Sequence, residues 1–214
     1  MTAKGDLTMQ MAIAKPNKND IRSARMRELI LKETLNCIYE KGFQNTPTTE
    51  ITERAGISRG ALLYHFPSKE DLVAAALEHL LDQEIQRLRS VADSYARGQL
   101  SLDDFVDYLW ERFSGRLFMI TLDYLATART DPVIQQTMKR VSAEFHASLN
   151  AIWIQFFSDK PGDEEQIQGT LNLTLCVMRG MGAQTIVRND QRYFDCLRDQ
   201  WKAVLKGMLN TGPK

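Results

Sequence analysis

Residues 48–69, TTEITERAGISRGALLYHFPSK, confine the fold more tightly than any other stretch of this chain. The pattern predicts a first short helix whose N-cap is Thr48 or Thr49, since a hydroxyl there accepts from backbone N–H groups two or three residues on. Glu50 and Glu53 fall in its first turns, where the helix dipole favours negative charge. Ile51 and Ala55 lie one turn apart and face inward. Gly56 stands where the helix stops, because glycine tolerates the left-handed conformation such a stop often needs. Ser58 then caps a second helix over Arg59 to His65, Pro67 ends it, and Ser68 with Glu70 and Asp71 opens the next. Two short helices joined by a glycine turn present one helix end to the major groove of DNA.

The residue types on the second helix suit a groove. Arg59 can fork to a guanine edge or grip a phosphate, while Gly60 and Ala61 let the backbone approach base edges and thymine methyls. Tyr64, His65 and Lys69 are placed to donate to flanking phosphates, and Leu62 and Phe66 anchor the helix from behind. With Arg25, Thr48, Thr49 and Ser58 these form the candidate DNA-binding set. The alternative is an ordinary helical hairpin in an all-helical protein, and it leaves the agreement of residue type and spacing unexplained.

The run from Arg27 to Leu72 resembles the N-terminal DNA-binding domain of the TetR/AcrR family of transcriptional regulators. The motif stands here as Ile30, Gly42-Phe43, Thr48-Thr49, Ile51, Ala55-Gly56-Ile57-Ser58, Gly60, Leu62, His65-Phe66, Ser68-Lys69-Glu70 and Leu72. The chain departs from it once: the aromatic that usually follows the leucine of the recognition helix is Leu63 here, and the tyrosine comes one position later, at Tyr64.

Charge is divided along the chain in the sense that this reading needs. The 214 residues have zero net charge, but residues 1–69 hold eleven Lys and Arg against seven Asp and Glu, and residues 70–214 hold sixteen against twenty. A basic head therefore sits on an acidic body. Cys37, Cys176 and Cys196 share no metal-ligand spacing and suggest no disulfide framework. Cys37 is expected to be packing, with a redox role at Cys176 or Cys196 the minor alternative. The N-terminus lacks the apolar core of a signal peptide, and no apolar run approaches the roughly 20 residues needed to span a bilayer. The expectation is a cytoplasmic protein.

Helical signals continue to the end, with neither strand alternation nor a phosphate-binding glycine loop. Residues 1–20 are expected to form a flexible tail, 21–68 a helix-turn-helix domain, and 69–214 a helical effector-binding and dimerisation domain. A first helix is expected from about Ile21 to Lys41 and a long one from Lys69 to about Tyr95. Further helices are capped by Ser101, interrupted at Gly115, restarted at Pro132 and broken at Lys160-Pro161-Gly162-Asp163. The last two span about Glu164 to Val187 and Asp190 to Leu209. Gly180-Met181-Gly182 follows no strand and reads as close helix contact rather than a phosphate site. The fold class is all-α.

Leu171, Leu175, Met178 and Gly182 repeat at helical spacing, as do Phe194, Leu197, Trp201 and Val204. Such seams build either an intramolecular core or a dimer interface. The resemblance implies the interface, because family members dimerise through their two C-terminal helices. Trp110, Phe113, Met119 and Trp153 are candidates for lining a small-molecule effector pocket, with His146 and Asn150 as polar groups. The same residues would equally fill a helical core. The three histidines are too scattered to hold a metal with the cysteines, no catalytic triad can be assembled, and no cofactor is expected. The resulting expectation is a homodimeric, sequence-specific regulator of transcription, a repressor released from a palindromic double-stranded operator by an effector, and not an enzyme. An architectural DNA-binding protein without a ligand is the alternative.

Overall fold

A computed structural model describes residues 17–155 and 164–210. Among these the chain forms nine α-helices and no strand. They are α1 (Lys18–Lys41), α2 (Thr48–Ala55), α3 (Arg59–His65), α4 (Lys69–Ala96), α5 (Leu102–Ser114), α6 (Arg116–Ala128), α7 (Pro132–Gln155), α8 (Glu164–Gln184) and α9 (Gln191–Asn210). None is long and apolar enough to cross a membrane. The expected break at 160–163, the aromatics Phe156 and Phe157, and residues 1–16 of the expected tail lie outside the described residues.

Capping chemistry sets most boundaries. Ser58, Ser68 and Ser101 accept from the backbone N–H groups of Ala61, Asp71 and Asp104, at 3.2, 3.0 and 3.1 Å. Gly56 closes α2 in the left-handed region at φ 64°, a conformation costly for any side chain with a Cβ. Two expectations need correction. Helix α1 starts at Lys18, three residues early, because Asn17 caps it: its Oδ1 accepts from the N–H groups of Asn19 and Asp20, and Asp20 reciprocates to Asn17 N–H. Helix α2 is preceded by Pro47, so Thr48 is already inside the helix and neither threonine caps it. Proline's fixed φ does that work without a side-chain acceptor.

Two apolar clusters fill the interior. The first joins Ile30, Ile38, Ile51, Leu62 and Phe66 of the head to Leu72–Leu81 of α4 and to Ile120, Tyr124, Ile134 and Met138 of α6 and α7. The second packs Leu88 and α5 against Leu149, Trp153, Leu171, Leu175, Met178 and Phe194. The turn at Pro67 therefore separates head from body along the chain but not in packing. Between α4 and α5 lies a fully buried carboxylate, Glu84, held by Arg87 at 2.6 Å and by the Tyr108 hydroxyl, which donates at 3.1 Å. Burial and the neighbouring Glu84 charge push the Tyr108 pKa up, so this donor stays protonated.

Candidate nucleic-acid interface and effector cavity

Helix α3 is held by its back. Leu62 and Phe66 are 3% and 2% exposed, and Ile51 and Ala55 of α2 are buried against the same cluster. Complete burial of each large side chain is worth roughly 1.5–3 kcal/mol, enough to fix so short a helix. Its outer face carries Arg59, Gly60, Leu63 and Tyr64, all exposed, with Tyr64 at 80%. Ala61 and His65 lie at the margin, and the His65 ring stands edge-on to Tyr64. Ser58, at the N-terminus of α3, is exposed and uses its hydroxyl for capping. Thr49 is exposed at the start of α2, with Thr48 half-buried beside it.

The cations of the head divide into two sets. Lys41 and Arg54 are engaged: Lys41 meets Glu50 at 2.7 Å, and Arg54 meets Glu40 at 2.5 Å and Glu50 at 3.2 Å. The Arg54 guanidinium hydrogen-bonded to Glu40, and the Lys41 ammonium bonded to Glu50, hold both carboxyls below the usual carboxylate range. This network braces α1 against α2. Arg25 and Arg59, by contrast, are exposed and form no ion pair with any described residue. Lys69 lies at the start of α4 with its ammonium 5.9 Å from the centre of the Phe43 ring, and Arg27 covers Phe66 at 4.4 Å. Free positive charge thus accumulates where α1 and α3 meet solvent, which is the arrangement phosphate contact requires.

A cavity of about 320 Å³ opens between α4, α5, α6, α7 and α8. Leu81, Phe113, Leu117, Phe118, Thr121, Leu125, Met138, Ser142, Phe145, His146 and Arg179 line it. Of the four pocket residues expected from sequence, Phe113 is among these. Trp110, Met119 and Trp153 are not. Trp110 packs on Phe194 with ring centres 5.3 Å apart. Trp153 is fully buried and donates its indole N–H to the Ile167 carbonyl at 3.0 Å and to the Thr170 hydroxyl at 3.1 Å. Met119 is half-buried against the second core cluster. Trp153, fully buried with its donor satisfied, is core, and Trp110 and Met119 pack into the same cluster. His146 does reach the cavity wall, whereas Asn150 is not among its lining residues.

The seam on α8 also needs correction. Leu171, Leu175 and Met178 are completely buried within one chain, and Gly182 is buried with them. A Cβ on Gly182 would collide with the Phe113 carbonyl oxygen, so α8 packs there directly on the end of α5. Phe194 of α9 is 3% exposed. These residues have no surface left for a partner. The opposite face of α8 repeats the same period one step round: Leu173, Cys176, Gly180 and Ala183 are exposed, with Leu173 at 49%. On α9, Leu197 and Trp201 are half-buried and Val204 and Met208 exposed, the latter two at 44% and 37%. The Trp201 indole N–H donates to the Thr174 hydroxyl at 3.2 Å, tying α9 to α8. Cys37 is buried, which pushes its thiol pKa up and suits packing; Cys176 and Cys196 are exposed thiols. No group of His, Cys, Asp and Glu among the described residues is arranged to hold a metal ion.

The family model described as bacterial regulatory proteins of the tetR family matches residues 30–76. The HTH-type transcriptional regulator CymR of Pseudomonas putida is 23% identical over 178 residues, covering 83% of this chain and 88% of CymR. A protein of Mesorhizobium loti assigned to the TetR-family transcriptional regulators superposes with a TM-score of 0.70 at 18% identity, over 88% of this chain and 97% of that one. A regulator of Saccharomonospora viridis, solved in complex with choline, superposes with a TM-score of 0.64 at 15% identity, over 86% of this chain and 96% of that one.

Proposed function

Because this chain belongs to the tetR family of bacterial regulatory proteins, a family of DNA-binding transcriptional regulators and not of enzymes, we propose that it acts as a dimeric repressor. In this reading a small molecule in the α4–α8 cavity releases it from a palindromic operator. Each protomer places Ser58 to His65 in a major groove, with Arg59 at base edges and Arg25, Thr48, Thr49, Tyr64 and Lys69 along the backbone. The dimer closes through the outward faces of α8 and α9 around Leu173, Gly180 and Val204. Small residues at Gly180 and Ala183 let two copies of α8 approach closely.

One observation carries the ligand-responsive part: the cavity lies where the two cores meet. Leu81 and Met138 belong to the core shared with the head, and Phe113 and Phe118 to the core of the body. Helix α6 is the shared wall. Its residues Leu117, Phe118, Thr121 and Leu125 face the cavity. From the same helix, Tyr124 donates to Val73 of α4, Asp123 accepts from the Phe43 backbone N–H, and Arg116 donates to Asn36 of α1 at 2.6 Å. A ligand that favours one placement of α6 therefore favours one placement of the heads. Release follows as a population shift set by its differential affinity for the two spacings.

The test is selection of bound duplexes from a random pool at moderate salt, where non-specific phosphate contacts no longer dominate. A palindrome bound by two chains, with half-site centres about 34 Å or a multiple apart, is expected. A single half-site bound by one chain would overturn the dimeric reading, and recovery of no motif would overturn specificity.

A further inference from the structure

The cavity's walls restrict what it can hold. They are aliphatic and aromatic except at Thr121, Ser142, His146 and Arg179, and no carboxylate is among them. Thr121 is already committed, its hydroxyl donating to the Leu117 carbonyl at 2.8 Å. Arg179 is unlike the other arginines drawn into the fold. Arg54, Arg112 and Arg198 each lie against carboxylates: Glu40 and Glu50, Glu84 and Glu111, and Asp107 and Asp195. Arg179 has no carboxylate partner among the described residues; its guanidinium stands 5.7 Å from the centre of the Phe113 ring. Arg179 as a whole is exposed, while burial of its guanidinium pushes its pKa down from the ordinary value. A guanidinium on a largely apolar cavity wall, with no carboxylate among the lining residues, is a ready partner for an anionic ligand.

We infer that the cavity binds a small organic monocarboxylate, its compact apolar body against Phe113, Phe118 and Met138 and its carboxylate on the Arg179 guanidinium, with His146 as a second donor. The guanidinium fork matches a carboxylate in a bidentate, charge-assisted pair. One guanidinium in an otherwise apolar site compensates one negative charge, so dicarboxylates are disfavoured. Cations are disfavoured more strongly, because the site offers them an arginine and no acid. The volume, about 320 Å³, lies at the small end of the range for ligand pockets and suits a single ring or a short branched chain. This inference rests on the reading of the cavity as the effector site.

The experiment titrates the full chain with benzoate, phenylacetate and 4-methylpentanoate, each beside its uncharged amide, and with choline as the cation. Calorimetry gives affinity and thermal unfolding gives stabilisation. At least one acid is expected to bind, with its amide about tenfold weaker or worse, and choline not at all. Arg179→Gln should bring acid and amide to the same affinity, and Arg179→Lys should keep a preference for the acid. The inference is overturned if no acid binds, if an amide or choline binds as tightly as the acid, or if Arg179→Gln retains the acid's advantage. Release of the selected duplex by the bound acid is read separately. Binding without release sinks the repressor mechanism and leaves the carboxylate site standing; release by an amide or choline alone sinks the carboxylate assignment and leaves the effector mechanism standing.

Discussion

The Tyr124 hydroxyl donates to the backbone carbonyl of Val73 at 2.8 Å, across 51 positions of sequence, with both residues buried. Burial pushes the phenol pKa far up, so it remains a donor at every working pH. The Phe43 ring meets the Tyr124 ring edge-on at 5.5 Å, so one side chain of α6 touches the long helix α4 and the loop between α1 and α2. Tyr124→Phe keeps the ring and deletes the bond. It is expected to cost about 0.5–1.5 kcal/mol, seen as a lower urea midpoint at unchanged slope. No measurable drop would mean that packing alone joins head to body here.

Asp123, the neighbour of Tyr124, gives a pH signature. Burial raises its carboxyl pKa, and the Phe43 N–H it accepts only partly offsets this. A carboxyl whose folded pKa exceeds its unfolded value contributes stability that is complete below the unfolded value, about 3.9, and lost as pH rises through the folded value. Asp123→Asn keeps an acceptor for Phe43 and removes the charge. It should match or exceed the wild type in stability at pH 7, and the wild type should regain ground as pH falls toward about 4. A variant that loses ground on the wild type as pH rises from about 2 to about 5 would show that the charged form is the favoured one.

The two faces of α8 predict opposite failures. Leu171 is completely buried and Leu173 is 49% exposed. Leu171→Ala empties core space and should cost about 2–5 kcal/mol. In the proposed dimer, Leu173→Glu should leave the monomer folded while shifting sedimentation from dimer to monomer, because a charge there would face the other copy. If Leu173→Glu remains a dimer at micromolar concentration, the interface lies elsewhere.

How far the sequence could carry these conclusions differs from element to element. The head was legible almost residue by residue, because Ser58, Gly56 and Ser68 act on the backbone within a few positions, and local chemistry needs no knowledge of what packs from outside. Even there, Asn17 and Pro47 moved two helix starts, since more than one residue type can begin a helix. On α8 the periodicity was correct and the face was not. Leu171-Leu175-Met178-Gly182 and Leu173-Cys176-Gly180-Ala183 repeat alike, and an apolar period does not say which side meets the chain's own core. The cavity failed for a related reason: large aromatics fill space as readily as they line it, and Trp153 is held by Thr170 and Ile167, two partners on another helix. Arg179 carried no sequence signal, because the absence of a counter-ion exists only in three dimensions.

Gly180 and Gly182 separate close packing within a chain from close packing between chains. A methyl group on Gly182 would run into the Phe113 carbonyl and the Phe118 ring, and the first of these is backbone that cannot swing aside. A methyl on Gly180 meets nothing within its own chain. Alanine favours a helix interior over glycine by about 1 kcal/mol, so Gly180→Ala should raise the stability of the isolated protomer, while Gly182→Ala should lower it by about 1–3 kcal/mol as α8 is pushed off α5. Urea unfolding of both variants in the Leu173→Glu background, where protomers are apart, checks this directly. In the wild-type background the Gly180→Ala gain should shrink or reverse if two copies of α8 cross there, because the added methyl then lies between helices rather than in water. An equal gain in both backgrounds would remove Gly180 from the interface.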